Sequence, residues 1–181
     1  MDSRGFRTDT RAVGAIAYLS LGSNLGNRVA NLLSAVSELS KAGSIRALSS
    51  LYETQPVDVP NQPWFLNCVV ALETSLPPRE LLKVALAIES EMGRVRFKHK
   101  GPRIIDIDVL LVGDCVLEEP GLKIPHPSMQ RRRFVLEPMV EIAPEAFHPV
   151  LKKTAAELLA DLGPEQTVRK FETEEWPHNK I

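Results

Sequence analysis

Asp106 and Asp108 stand two residues apart in a run otherwise built of Ile, Val and Leu, "GPRIIDIDVLL" at 101–111. Strand side chains alternate between faces. Ile105, Ile107, Val109 and Leu111 therefore share one apolar face, and Ile104, Asp106, Asp108 and Leu110 share the other. Two like charges roughly 7 Å apart on a partly apolar face need compensation. The preceding segment supplies it: "RVRFKHKGPR" (94–103) carries Arg94, Arg96, Lys98, Lys100 and Arg103. Carboxylates bind Mg²⁺ through one or two oxygens while phosphate oxygens and water complete its octahedron, and arginines fork onto the remaining phosphate oxygens. The pattern points to a polyphosphate held by a divalent cation. D-x-D alone is more commonly a solvated sheet face; the apolar neighbours and the basic loop favour the metal.

Other residues add to this constellation without completing it. No G-x-x-x-x-G-K-[ST] is present, which closes the P-loop route to ATP. "GSNLGN" (22–27) could seat a phosphate at a helix N-terminus, although spacing alone favours a plain strand-to-helix turn. His126, held between Pro125 and Pro127 and close to Arg131, Arg132 and Arg133, could donate to a phosphate oxygen. Phe65 and Phe134 are core residues on base rates. Facing each other across a cleft, they would suit a flat heteroaromatic ring, with Asn67 offering a donor and an acceptor to its edge.

The elements that position these residues follow from periodicity. "GAIAYLSLG" (14–22) reads as a strand, and Val29, Leu32, Leu33, Val36 and Leu39 then recur at helical spacing up to Gly43. Residues 45–54 read as one strand, 55–64 as a Pro-rich loop and 65–75 as the clearest strand. Pro77 and Pro78 open a second helix carrying Leu81, Leu82, Ala85, Ile88 and Met92, closed by Gly93. The acid-bearing strand follows at 103–112. The expected fold class is α+β: a ferredoxin-like βαββαβ sandwich whose two helices cover one sheet face, with additional C-terminal short helices and loops. Residues 118–129 read as a proline-braced loop and 131–145 as short helices interrupted at Pro138. Thr154 and Glu157 have capping-box spacing for a last helix ending at Gly163.

The chain has 181 residues, 44% hydrophobic and 25% charged, with a net charge of −1. That suits one globular domain and excludes a polycation seeking nucleic acid. Cys68 and Cys115 form no metal-binding spacing and suit a reducing compartment. No run is long enough for a membrane span. The expected organisation is a disordered tail at 1–13, a single catalytic domain at 14–163 and a charged extension at 164–181. The length leaves no room for a fused second enzyme.

From about Ala15 to Glu145 the chain resembles the 6-hydroxymethyl-7,8-dihydropterin pyrophosphokinase family. The resemblance rests on "LSLGSNLGN", "YETQPVDVPNQPWFLN", "IESEMGRVR", "GPRIIDIDVLL" and "IPHPSMQRRRFVLEP", in that order and spacing. It implies transfer of pyrophosphate from ATP to the pterin hydroxymethyl oxygen, releasing AMP, in folate biosynthesis. Two Mg²⁺ ions would be held by Asp106 and Asp108, with Arg94, Arg103 and Arg132 acting on the transferred group. Phe65 and Phe134 would sandwich the pterin, while Asn67 and the backbone around Thr54, Pro56 and Val57 read its edge. Glu89, Arg94, Arg96, Arg103, Val109, Lys123, His126 and Arg132 would line the nucleotide side.

The chain departs from familiar bacterial members in four respects. The basic loop is one residue shorter and lacks a tryptophan, Phe65 and Pro127 replace tyrosines, and Lys123 replaces a threonine. The competing reading is a ferredoxin-like module binding nucleic acid or a small ligand without catalysis. It ranks lower because no RNP-like aromatic run is present and a plain binding domain has no need of paired acids beside a cationic loop. A cytoplasmic monomer, with no nucleic-acid or membrane partner, is the expectation.

Overall fold

The structure is a computed structural model that describes residues 14–56, 61–93 and 101–177. Its framework is a six-stranded antiparallel sheet. Strand β1 (Ala15–Ser23) lies between β4 (Phe65–Thr74) and β5 (Asp106–Val112). The far side of β4 pairs with β2 (Ser44–Leu48) and β3 (Leu51–Thr54), and β3 pairs outward with β10 (Val168–Phe171). The acid-bearing strand β5 is thus one edge of the sheet, and β2 and the C-terminal strand β10 form the opposite edge.

Helices α1 (Arg28–Leu39) and α2 (Pro78–Glu91) form where the apolar spacing predicts them. Asn27 caps α1 by accepting the Ala30 N–H at 3.0 Å, and Gly93, at φ +85°, lets the chain leave α2. Their buried stripes, Val29, Leu32, Ala35 and Leu39 with Leu81, Ala85 and Ile88, pack on Leu19, Leu21, Leu72 and Ile107 of the sheet. Each Leu fully removed from water there contributes about 1.5–3 kcal/mol relative to exposure.

The opposite face is half covered. Helices α3 (Arg133–Ile142) and α4 (Ala155–Ala160) build a second core with Val69, Leu110, Leu111, Val135, Leu136, Met139 and Leu158. The other half of that face carries Phe65, Asn67, Asp106 and Asp108. The capping box expected of Thr154 and Glu157 is formed in full.

Five features differ from the sequence expectation, each for an identifiable reason. The strand expected at 45–54 breaks at Ser49–Ser50, where backbone groups find other partners. The Ser49 carbonyl accepts the Trp176 indole N–H at 2.9 Å, and the Ser50 N–H donates to Glu141 Oε1 at 3.1 Å. Strand parity in β5 holds through Val109 and then shifts. Leu111 pairs with Tyr18 and Val109 with Leu19, leaving Leu110 as a bulge, so Leu111 turns to the second core and Val112 to the first. The loop expected at 118–129 contains a hairpin, β6 (Leu117–Glu119) and β7 (Leu122–Ile124), turned at Gly121 with φ +76°.

Pro138 does not interrupt α3. It removes only the bond to the Phe134 carbonyl, and burial of Val135, Leu136, Pro138 and Met139 sustains the helix. The charged extension expected from 164 instead supplies β10 and seals the sheet edge with Trp176, which is 2% exposed. Two-residue strands β8 (Phe147–His148) and β9 (Lys153–Thr154) pair with each other ahead of α4. Among the described residues no helix is long and apolar enough to cross a membrane.

Trp176→Ala should lower unfolding free energy by about 3 kcal/mol, the cost of vacating a large buried aromatic site. Urea denaturation checks this, and a change under 1 kcal/mol would show that the C-terminal segment is not part of the core.

Candidate active site

An edge strand presents backbone groups with no neighbouring strand to pair with. On β5 these groups are taken up by residues flanking the acids. Glu89, from α2, accepts the Ile107 N–H at 2.8 Å, and the His126 N–H donates to the Leu110 carbonyl at 2.9 Å. The strand is thereby anchored on both sides of Asp108.

Each aspartate has its own arginine. Arg103 Nη1 lies 2.8 Å from Asp106 Oδ2, and Arg132 Nη1 lies 3.6 Å from Asp108 Oδ2. Each arginine also lies over one phenylalanine: Arg103 is 6.0 Å from the Phe65 ring centre and Arg132 is 5.6 Å from that of Phe134. Such stacking is a weak attraction, about 0.5–1 kcal/mol where exposed, but it orients the guanidinium.

His126 Nε2 is 3.8 Å from Asp108 Oδ2, while its Nδ1 accepts the Ser128 N–H at 3.1 Å. Loss of hydration, reinforced by the charge of Arg132, pushes the imidazole down to about 4. The ring is therefore neutral at pH 7 with its proton on Nε2, facing the acids as a donor.

The carboxyl of Asp108 is lifted to about 6, first by loss of hydration and then by the charge of Asp106, against the pull of Arg132. A divalent cation would reverse that shift. Two carboxylates on one strand face, with the rest of the coordination left to phosphate and water, suit an ion of the magnesium type. Among the described residues no group of three or more His, Cys, Asp or Glu could enclose a metal by itself.

Beside the acids lies a polar corner formed by β1, β3 and β4. Asn67 and Asp106 flank Gly22 in one cross-strand row, and Thr54 pairs with Phe65. Asn67 Nδ2 donates to Thr54 Oγ1 at 2.8 Å, and both side chains are buried. A Cβ on Gly22 would stand 2.8 Å from Asn67 Oδ1, so glycine leaves room for that amide as it stands. Pro56 ends the described part of this corner, partly exposed.

Asn24 is a site residue that pattern reading missed. It is 2% exposed, and its Oδ1 accepts the Arg103 N–H at 2.8 Å. Its Nδ2 donates to Gln62 Oε1 and to the Pro63 carbonyl, each at 3.2 Å. Its own N–H donates to the Arg103 carbonyl at 3.1 Å. One side chain thus clasps the "GSNLGN" turn, the end of the Pro-rich loop and the arginine of Asp106. The only signal in the sequence was a polar residue in a turn directly after a buried strand.

Some expected residues are not drawn in. The Val109 side chain is buried in the core beneath α1 and α2. Lys123 projects to solvent from the β6–β7 hairpin and pairs with Glu118 at 3.3 Å. Of the arginine triplet only Arg132 reaches the acids. Arg131 is exposed, while Arg133 binds Glu137 and the carbonyls of Leu162 and Gly163. Val57, Arg94 and Arg96 lie outside the described residues.

Fold and site together define an antiparallel α/β protein with an arginine-flanked carboxylate pair suited to phosphate chemistry. Residues 18–144 match the family described as 7,8-dihydro-6-hydroxymethylpterin-pyrophosphokinase (HPPK). The chain belongs to that family. It is 42% identical over 158 residues to the 2-amino-4-hydroxy-6-hydroxymethyldihydropteridine pyrophosphokinase of Aquifex aeolicus, covering 87% of this chain and 96% of that protein. The protein of the same name from Methylorubrum extorquens is 45% identical over 150 residues, covering 82% and 94%. The folic acid synthesis protein fol1 of Schizosaccharomyces pombe is 44% identical over 158 residues; the match takes in 86% of this chain but only 21% of that longer protein. The fold is also that of Plasmodium falciparum HPPK-DHPS solved with pterin and p-hydroxybenzoate, with a TM-score of 0.66 at 20% identity over 84% of this chain and 42% of that one.

Asn24→Ala should destabilise the fold by about 1–3 kcal/mol by stranding partly buried hydrogen-bond partners. It should also speed amide exchange at Arg103 ahead of the strands. Hydrogen exchange with urea denaturation tests both, and an unchanged Arg103 amide would remove the clasp.

Proposed function

We propose that this protein transfers pyrophosphate from ATP to the hydroxymethyl group of 6-hydroxymethyl-7,8-dihydropterin, giving AMP and the pterin diphosphate. The observation that carries the reading is the double pairing at the acids, in which each aspartate meets an arginine that lies over a phenylalanine ring. A flat pterin held by Phe65 and Phe134, with its edge on Asn67 and Thr54, would direct its hydroxymethyl arm toward Asp106 and Asp108. The names and coverage of the bacterial relatives support the same reaction. They leave the binding-module alternative without support.

The pterin hydroxyl oxygen attacks the β-phosphorus of ATP and gives up its proton to water, the bond from that phosphorus to the α–β bridging oxygen breaks, and AMP departs with that oxygen. Such a transfer needs in-line positioning and charge neutralisation more than covalent catalysis. Arg103 and Arg132 supply positive charge from two sides of the acid pair. His126 offers the Nε2 proton to a phosphate oxygen, and Glu89 holds Ile107, between the two aspartates, in place. Asp106 and Asp108 would hold two magnesium ions, which when bound neutralise the phosphates and activate the attacking hydroxyl. Arg94 and Arg96 belong to the same reading on the nucleotide side.

The fold reading that goes with this function is a ferredoxin-like sandwich. Taking the broken β2 and β3 as one strand, the sheet order supports it. The catalytic unit begins at residue 14, and β10 with Trp176 supports extending it past residue 163.

The direct test mixes protein, Mg²⁺, ATP and the pterin and identifies the nucleotide released. Pterin-dependent AMP is expected; ADP, or AMP formed equally without pterin, refutes the reading. Asp106→Ala and Asp108→Ala should each lower kcat at least 10²-fold, roughly the scale of losing one electrostatic contact to a transition state, with unchanged circular dichroism. Arg132→Ala should lower kcat more than it raises the KM for pterin. A loss confined to pterin affinity would move Arg132 off the transferred group.

A further inference from the structure

Five side chains from four separate segments meet at the outer end of the polar corner. Glu53, on β3 and 13% exposed at its side chain, receives two guanidinium groups. Arg28, at the start of α1, reaches Glu53 Oε1 at 3.0 Å with Nη2 and donates from Nη1 to the Trp64 carbonyl at 2.7 Å. Arg169, on β10, donates to Glu53 Oε2 from Nε at 3.1 Å and from Nη2 at 2.6 Å. Its guanidinium also lies 4.8 Å from the Trp64 ring centre. Phe171, two residues along β10, sits under Arg28 at 5.8 Å. Trp64 is thus held twice, by its carbonyl and by its ring, through cations that share one carboxylate.

The location gives the cluster its meaning. Trp64 immediately precedes Phe65, and Glu53 immediately precedes Thr54. Those two neighbours pair across the β3–β4 ladder, and Val168 of β10 pairs with Thr54 from the other side. The segment supplying Arg169 and Phe171 lies beyond residues 18–144, the part matched to the family. Nothing in the acid pair requires it.

We propose that β10 is a positioning element for the pterin end of the site, with Arg169 acting through Glu53 and Trp64 to set Phe65 and Thr54. The inference rests on the pyrophosphokinase reading for the identity of the bound ring. Arg169 is 65% exposed at its side chain, and an exposed ion pair contributes little to global stability. Its removal therefore loosens the approach to Phe65 without unfolding the sheet. A guanidinium that both forks onto a carboxylate and stacks on an indole is not replaced by an ammonium, so lysine restores the charge but only part of the geometry.

The test compares the unsubstituted protein with Arg169→Ala and Arg169→Lys. Pterin affinity is read by fluorescence in the presence of a non-hydrolysable ATP analogue and Mg²⁺, and analogue affinity is read separately. Arg169→Ala should weaken pterin binding about fivefold to tenfold, the scale of one stacking contact plus one exposed pair, and Arg169→Lys should fall between. Analogue affinity should stay within twofold and the melting temperature within a few degrees. Equal pterin binding in all three proteins overturns the brace alone. Equal losses of pterin and nucleotide affinity also overturn it, because they would mark a general loosening. Failure of the unsubstituted protein to bind pterin overturns the functional reading and the brace together. Should Arg169→Ala not fold, Trp64→Leu reads the same contact from its other side.

Discussion

The carboxylates of Asp106 and Asp108 share one face of an edge strand, where they repel each other and lose part of their hydration. Much of the surrounding architecture answers that cost. Arg103 meets one acid and Arg132 the other, from chain segments on opposite sides of the strand. The Asp108 carboxyl is lifted first by loss of hydration and then by the charge of Asp106, against the pull of Arg132, a setting that suits a divalent cation. A hydrophobic sheet supplies rigidity, and the charged groups on its surface supply chemistry.

The edge position matters as much as the charge. A central strand would have both sides occupied by neighbouring strands, leaving no access for Glu89 or the His126 backbone. On the edge, the α2 carboxylate and the segment after β7 can bond to β5 directly. The Leu110 bulge turns its carbonyl to the His126 N–H while sending Leu110 and Leu111 into the core under α3. That core, in turn, seats Phe134 and Arg132 at the start of α3. Acid pair, histidine and second arginine are therefore coupled through one backbone irregularity.

At the other end of the site the chain relies on clasps rather than ladders. Asn24 ties three segments with its side chain, and Glu53 ties β3 to α1 and β10 through two arginines. Asn24 is a buried polar group whose partners come from far along the chain, and such a group specifies geometry strongly because leaving a partner unmatched is costly.

Local pattern was enough to locate β1, α1, β4, α2, β5 and the capping box of α4, because alternation, helical spacing and Pro or Gly boundaries are properties of short segments. It was also enough to single out Asp106, Asp108, Arg103 and His126 as candidates, because acids in an apolar strand and cations crowded beside them stand out against their neighbours. Phe65, Asn67 and Phe134 entered the site through the family resemblance. The motifs in order identified the family that the comparisons bear out. Local spacing does not choose among Arg131, Arg132 and Arg133. The resemblance names Arg132, and the tertiary structure brings that one to the acids while Arg133 is held by Glu137 and the α4 end. Tertiary structure alone decided that Asn24 holds Arg103. It alone turned a charged C-terminal stretch into a sheet edge, because Trp176 and Arg169 gain their meaning from Ser49, Glu53 and Trp64, more than a hundred residues earlier. Periodicity reports which face of a segment is buried; only packing reports against what.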